Sequence, residues 1–498
     1  MDETGELMIP YILSAIVFLP IVAGAVLLFL PPSNRQLIYR FALAVALLAF
    51  LLSIVVYFSF DAAGPRYQFL EKYDWLPALG ISYHVGVDGI TAPLVLLTGV
   101  VIFTGVIISQ RIDERPREFF AFLFILASGV FGVFVSLDLF ALFFFYEIAV
   151  FPMYLLIALW GWKQTREYAA MKLTLYLFIG SVVALVGALA MYFASGLDTF
   201  DMLALEGANF SADFQNFWFP FVFFGFAVLG GIFPFHNWSP DGHVAAPTAV
   251  SMFHAGVLMK LGAFAALRVG IMLLPIGAHT HMPWIILLTL VNVVYGAFIA
   301  MVQTDFKYMI GFSSVSHMGL VTMGFATLTY NGFVGASVQM VSHGVMTALF
   351  FAIVGMVYDQ AHTREIPKLG GLMRIMPFAA VAFIIGGLVS MGMPGFSGFI
   401  AEFPIFMGLW AGGYPLIAII AAISIAVTAA YILRAIGRVF FGELPAELEG
   451  HMHDIQPSEK LALGILCLIM ITIGIYPNVI LPMVQAGVNT VLALVGGS

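Results

Sequence analysis

The chain has 498 residues, 62% of them hydrophobic and only 9% charged, with a mean hydropathy of +1.04. A soluble chain carries about 25% charged residues, so a soluble globular protein is excluded, and the net charge of −8 offers no basic surface for nucleic acid. A single cysteine, Cys467, excludes an internal disulfide and any cysteine-built cluster or zinc site.

The acidic N-terminus MDETGELMIP lacks the basic region of a cleaved signal, so the first apolar run is expected to be retained. Windows of about 20 residues place spans near 9–30, 37–60, 87–109, 118–136, 138–160, 167–195, 215–236, 247–272, 284–303, 306–329, 332–359, 376–411, 413–440 and 461–490. This predicts an all-α polytopic membrane protein with 14 transmembrane helices in the lipid bilayer. With the N-terminus outside, the inside loops hold fifteen of the Lys and Arg residues, from Arg35 to Lys460, and the outside loops only Arg66, Lys72 and Arg268. The positive-inside rule then puts both termini on the outer, periplasmic side of a cell membrane.

Span 5 reads LFALFFFYEIAVFPMYLLIALWG and carries one charge, Glu147. A carboxylate at that depth costs roughly 2.5 kcal/mol or more, and such groups mark ion pathways by default. Spans 7 and 12 are interrupted, at GFAVLGGIFPFHNW (225–238) and VSMGMPGFSGFIAEF (389–403). Gly and Pro there free backbone groups that only protein or cavity water can satisfy, and paired broken helices point to a transport pathway. The breaks lie five spans apart. That spacing suggests two five-helix repeats, helices 4–8 and 9–13, with the second inverted because five is odd. The expected divisions are residues 1–110, a first repeat at 111–275, a second at 276–440, and a loop with helix 14 at 441–498.

The other interior ionisable groups are Lys260 and His254 in SMFHAGVLMKLGAFAAL, His317 in GFSSVSHMGL, His343 in VQMVSHGVMTALFF, and Glu402 just past the second break. A structural salt bridge needs only one pair, and these groups are spread over several spans. Burial moves both amines and carboxyls toward neutrality, where imidazole already titrates. The set therefore suits a proton relay of Glu147, Lys260, His343 and Glu402, with His254, His317 and Lys307 as auxiliary candidates. Other readings are weaker. His236 and His243 flank the expected loop NWSPDG, and His451 and His453 lie beside Asp454, a spacing that allows a surface divalent ion. A haem between His254, His317 and His343 would leave the Glu and Lys unexplained. There is no phosphate loop and no GxGxxG context, so no cofactor or metal site is expected.

The blocks FFFYEIAVFPMYLLIALWG, PFHNWSPDGHVAAPTAVS, QTDFKYMIGFSSVSHMG and MGMPGFSGFIAEF resemble those of the antiporter-like subunits of respiratory complex I. The resemblance is to the chain M type, the bacterial counterpart of mitochondrial subunit 4. HVGVDGI before span 3 and HTREIPKLGGL after span 11 also fit, so the likeness runs from about residue 80 to 405. It implies 14 helices, two inverted repeats and proton translocation coupled to electron transfer. Flavin, iron–sulfur clusters and quinone are then expected in partner subunits, and the partners include neighbouring antiporter-like subunits. Position by position, Glu147 matches a helix-5 glutamate that pairs with a lysine and receives a signal from the neighbouring subunit. Lys260 matches the central lysine, His343 the helix-11 histidine and Glu402 the exit glutamate. One departure stands out: Leu229 occupies the place of the family's helix-7 lysine, while His254 is extra. Alternatives are a subunit of a multisubunit cation/proton antiporter, a membrane subunit of an energy-converting hydrogenase or ferredoxin-linked complex, or a scaffold whose charges only pair.

Overall fold

A computed structural model describes residues 11–450 and 452–496; the N-terminal ten residues and His451, on which two of the expectations above fall, lie outside the described residues. In chain order the helices are α1 (Ile12–Phe29), α2 (Arg35–Phe58), α3 (Thr91–Ile108), α4 (Pro116–Val135), α5 (Leu139–Trp160), α6 (Arg166–Ser195), α7 (Met202–Glu206), α8 (Ala212–Ala227), α9 (Trp238–Ala245), α10 (Thr248–Phe253), α11 (Met259–Ala265), α12 (Pro275–Val302), α13 (Phe306–Ala326), α14 (Tyr330–Ala361), α15 (Pro377–Ser390), α16 (Ser397–Ala411), α17 (Pro415–Ala435), α18 (Pro457–Ile475) and α19 (Leu481–Val495). A π turn at His254–Leu258 joins α10 to α11, and a second, Ala266–Ile271, completes one rod. Start signals match local chemistry. Asp138 Oδ1 accepts from Ala141 N at 3.0 Å, and Asp305 Oδ1 accepts from Lys307 N at 2.8 Å, each supplying an acceptor that the first helical turn lacks.

Twelve continuous helical segments among the described residues are long and apolar enough to cross a membrane. Predicted spans 7 and 12 are instead pairs of shorter pieces, so fourteen unbroken rods are not observed. The α10–α11 rod and α14 have every residue of their apolar window buried, whereas α2 and α6 bury 39% and α17 buries 33%. The former helices thus make the centre and the latter the rim. Lipid is as apolar as leucine, so close packing rather than hydrophobicity draws these helices together. At Gly129 on α4, a Cβ would lie 2.4 Å from Ala149 N on α5.

Both breaks occur where the Gly and Pro residues predict. Gly231 has φ +76° and Gly392 φ +62°, in the left-handed region that glycine enters freely. At the first break, Asn292 of α12 satisfies the freed backbone: its Oδ1 accepts from Phe233 N at 2.5 Å, and its Nδ2 donates to the Gly231 carbonyl at 2.8 Å.

Several boundaries move. Span 9 begins at Pro275, not 284, and span 14 divides into α18 and α19 around Pro477–Val479. NWSPDG is largely helical, as part of α9. The gap between spans 2 and 3 folds into an antiparallel hairpin, β1 (Gln68–Leu76) with β2 (Ile81–Val87). Arg268, read above as a loop residue, is 3% exposed, and its Nη2 lies 2.6 Å from Asp88 Oδ2.

Candidate functional site

Three of the four expected relay residues, Lys260, His343 and Glu402, converge at the centre, together with the auxiliary candidate His317. Lys260 opens the row from the first turn of α11, just past the π turn. Its Nζ donates to the Ala255 carbonyl of that turn and lies 2.8 Å from His343 Nδ1 on α14. The rings of His343 and of His317, on α13, are 5.3 Å apart between centroids. His317 Nδ1 is 3.2 Å from Glu402 Oε1 on α16, and its Nε2 is 3.0 Å from Ser390 Oγ at the end of α15. All four ionisable groups are at most 3% exposed. The row thus joins the α10–α11 rod to both halves of the second broken helix.

The second break also shapes the end of the row. A Cβ on Gly392 would lie 2.8 Å from Glu402 Oε2, so glycine leaves the carboxylate its room. Gln339, one turn before His343 on α14, donates through Nε2 to Glu402 Oε1 at 3.2 Å. Ser342 and Ser397 hydroxyls meet at 2.8 Å across α14 and α16, and Ser313 meets Tyr431 at 2.8 Å. His343 Nε2, Gln339 Oε1 and Glu402 Oε2 find no partner within the described residues. Buried polar atoms without a partner are rare in folded proteins, and a catalytic role is one of the reasons they are kept. Direct contacts join amine to imidazole at one end and imidazole to carboxylate at the other, and between them the two rings lie side by side with no hydrogen bond joining them.

The remaining candidates lie elsewhere. Glu147 is not an interior group: its side chain is exposed on the outer flank of α5. Phe144 and Phe151, 41% and 64% exposed, share that flank at helical spacing. No described side chain forms an ion pair with Glu147, and Leu229, where the family's lysine would stand, is fully buried. Lys307 is buried at the head of α13, where its Nζ donates to the Ala246 carbonyl at 2.6 Å. It lines a 640 Å³ cavity with Arg111, Lys163, Asp359, His362 and Arg364. His254 is fully buried, stacked on Trp238 at 5.2 Å, and its ring centroid is 4.3 Å from that of His243.

Sequence reasoning missed Gln339, Ser390 and Asn292 as supports. Gln339 had a readable signal, since an amide four residues before a buried His shares its helix face; Asn292 and Ser390 had none. Among the described residues, no three His, Cys, Asp or Glu side chains come together to hold an ion, and the reading at His451 and His453 falls partly outside them.

The fold and row define an antiporter-type, multi-pass membrane protein with a buried chain of protonatable side chains. A family model described as NADH:quinone oxidoreductase/Mrp antiporter, TM, matches residues 136–428, and the chain belongs to that family. An NAD(P)H-quinone oxidoreductase chain 4 of Acaryochloris marina is 36% identical over 97% of this chain and 92% of its own. A NADH-quinone oxidoreductase subunit M of Rhodobacter capsulatus is also 36% identical, covering 96% of this chain and 95% of its own. Among solved structures, a chain of respiratory complex I from Thermus thermophilus with bound NADH matches with TM-score 0.89 and 27% identity, over 97% of this chain and 100% of its own. A chain of the Mrp complex from Dietzia matches with TM-score 0.83 at 18% identity, over 97% of this chain and 99% of its own, a likeness of fold alone.

Proposed function

We propose that this chain carries protons across the membrane through Lys260, His343, His317 and Glu402, as the proton-translocating subunit of a complex I-type NADH:quinone oxidoreductase. Redox chemistry belongs to its partners; this subunit converts a signal from them into proton transfer. The observation that carries the reading is the contact row itself, an amine, two imidazoles and a carboxylate in sequence through the buried centre. Ligand chemistry favours a proton over sodium. A hard alkali cation wants several oxygen ligands, and this row offers one carboxylate among nitrogen groups. The relatives at 36% identity favour the quinone-linked complex over a cation/proton antiporter.

In the same reading the chain crosses fourteen times, with residues 111–275 and 276–440 as inverted repeats. The basic end, with Arg35, Arg111, Lys163 and Arg364, faces inside, and the β-hairpin with both termini faces outside. In a Cys467→Ser background, a cysteine replacing exposed Tyr73 on the hairpin should react with an impermeant maleimide added outside. Reaction only from the inside would reverse the orientation.

The test of function uses the intact complex in proteoliposomes. Lys260→Met and Glu402→Gln should each assemble yet pump fewer protons per electron. Buried charges that served only as scaffold would leave that ratio unchanged.

A further inference from the structure

Between the basic cavity and Lys260 lies a pair of imidazoles that the row above does not use. His243 and His254 are both fully buried, with centroids 4.3 Å apart. His243 Nε2 lies 3.0 Å from Ser239 Oγ and 3.3 Å from Met259 Sδ. Its Nδ1 and both nitrogens of His254 find no partner within the described residues. Three of four ring nitrogens are therefore buried and unsatisfied, an unfavourable arrangement for groups that serve only packing. The Trp238 face against His254 and the Phe351 face against His243, at 5.2 and 5.4 Å, fix both rings without supplying a hydrogen-bond acceptor.

The surroundings give the pair a direction. Val244 and Ala246, just after His243, line the 640 Å³ cavity beside Lys307. Ser251 Oγ donates to the His243 carbonyl at 2.8 Å and is 3.2 Å from the Ala246 carbonyl, which also receives Lys307 Nζ. His254 opens the π turn whose second residue, Ala255, supplies the carbonyl held by Lys260. On one side the pair adjoins the cavity wall, and on the other the first member of the central row.

We infer that His243 and His254 form the loading station that feeds protons from the basic cavity to Lys260. This rests on the proton-relay reading and adds its entrance. A proton accepted on one ring nitrogen of His243 releases the proton of the other nitrogen to His254, which passes one likewise to the neutral Lys260 amine. Each hop moves one positive charge, with no change of oxidation state.

The test measures proton uptake per electron in proteoliposomes of the assembled complex, driven by NADH and quinone. His254→Leu keeps the volume and removes the titratable group; it should assemble and lose pumping, as should Lys260→Met. His254→Lys restores a protonatable group and should recover pumping, which a packing role would not predict. If His254→Leu pumps normally while Lys260→Met does not, the loading station is wrong and the central relay stands. If both pump normally, the relay itself fails and takes the station with it. Should His254→Leu not assemble, His254→Lys decides: pumping supports the station, and an assembled complex without pumping overturns it.

Discussion

Two kinds of buried charge coexist here, and they differ in how tightly each is closed. Asp88 is sealed: Oδ2 receives Arg268 Nη2 at 2.6 Å, and Oδ1 receives Ile90 N and Thr91 N at 3.0 and 2.9 Å. Burial pushes its carboxyl up, but the Arg268 guanidinium and these donors outweigh burial and hold it below the usual carboxylate range. Lys260, by contrast, meets an imidazole rather than a carboxylate, so its proton has somewhere to go. Asp88→Asn would strand the Arg268 cation. Breaking such a buried pair destabilises by about 3–5 kcal/mol, so this variant should unfold at a lower temperature. The surviving complex should pump normally, because the pair lies outside the row. A depressed carboxyl pKa contributes stability that is fully present above the ordinary value of about 3.9 and is lost as pH falls through the folded value. The difference between parent and variant should therefore stay flat across neutral pH and shrink only in strong acid. Equal unfolding temperatures at neutral pH would refute the structural role.

At the scale of elements, the sequence was informative where chemistry is local and silent where it depends on distant neighbours. Gly and Pro in 225–238 and 389–403 marked both broken helices, because no helix tolerates such a run in lipid without outside partners. Lys260, His343, His317 and Glu402 were legible for the same reason: an ionisable group inside an apolar run is its own signal. The hairpin was not. QFLEKYDWL alternates weakly, and its pairing with ISYHVGV is decided by packing against α1, α4 and α5. The helical setting of His243 was hidden because Pro240, Asp241 and Gly242 read as a turn, although those residues continue α9. The π turns were equally invisible, since they shift the 3.6-residue period by one residue without altering composition. Which flank of α5 faces outward was not legible either. When a helix is apolar all round, hydrophobicity does not separate its inner face from its outer one.

That ambiguity matters most for the whole molecule, because it decides what Glu147 does. Its side chain lies on an outer surface with Phe144 and Phe151, next to the exposed face of α6 that carries Met171, Leu175 and Phe178. Left facing lipid, a mid-membrane carboxylate costs roughly 2.5 kcal/mol or more. A neighbouring subunit covering this face with a cation or hydrogen-bond donors would remove that penalty, and it would make Glu147 the point where this chain senses its neighbour. Under the proposed relay, the row from Lys260 to Glu402 would then carry the proton, and the carboxylate on the rim would couple one subunit to the next. In a Cys467→Ser background, Glu147→Cys should cross-link to another membrane subunit in the assembled complex through a short lipid-soluble bismaleimide. The same cysteine should react freely with a lipid-soluble maleimide once the complex is dissociated. Free reaction in the intact complex, without a cross-link, would show that this face meets lipid and would remove Glu147 from the coupling path.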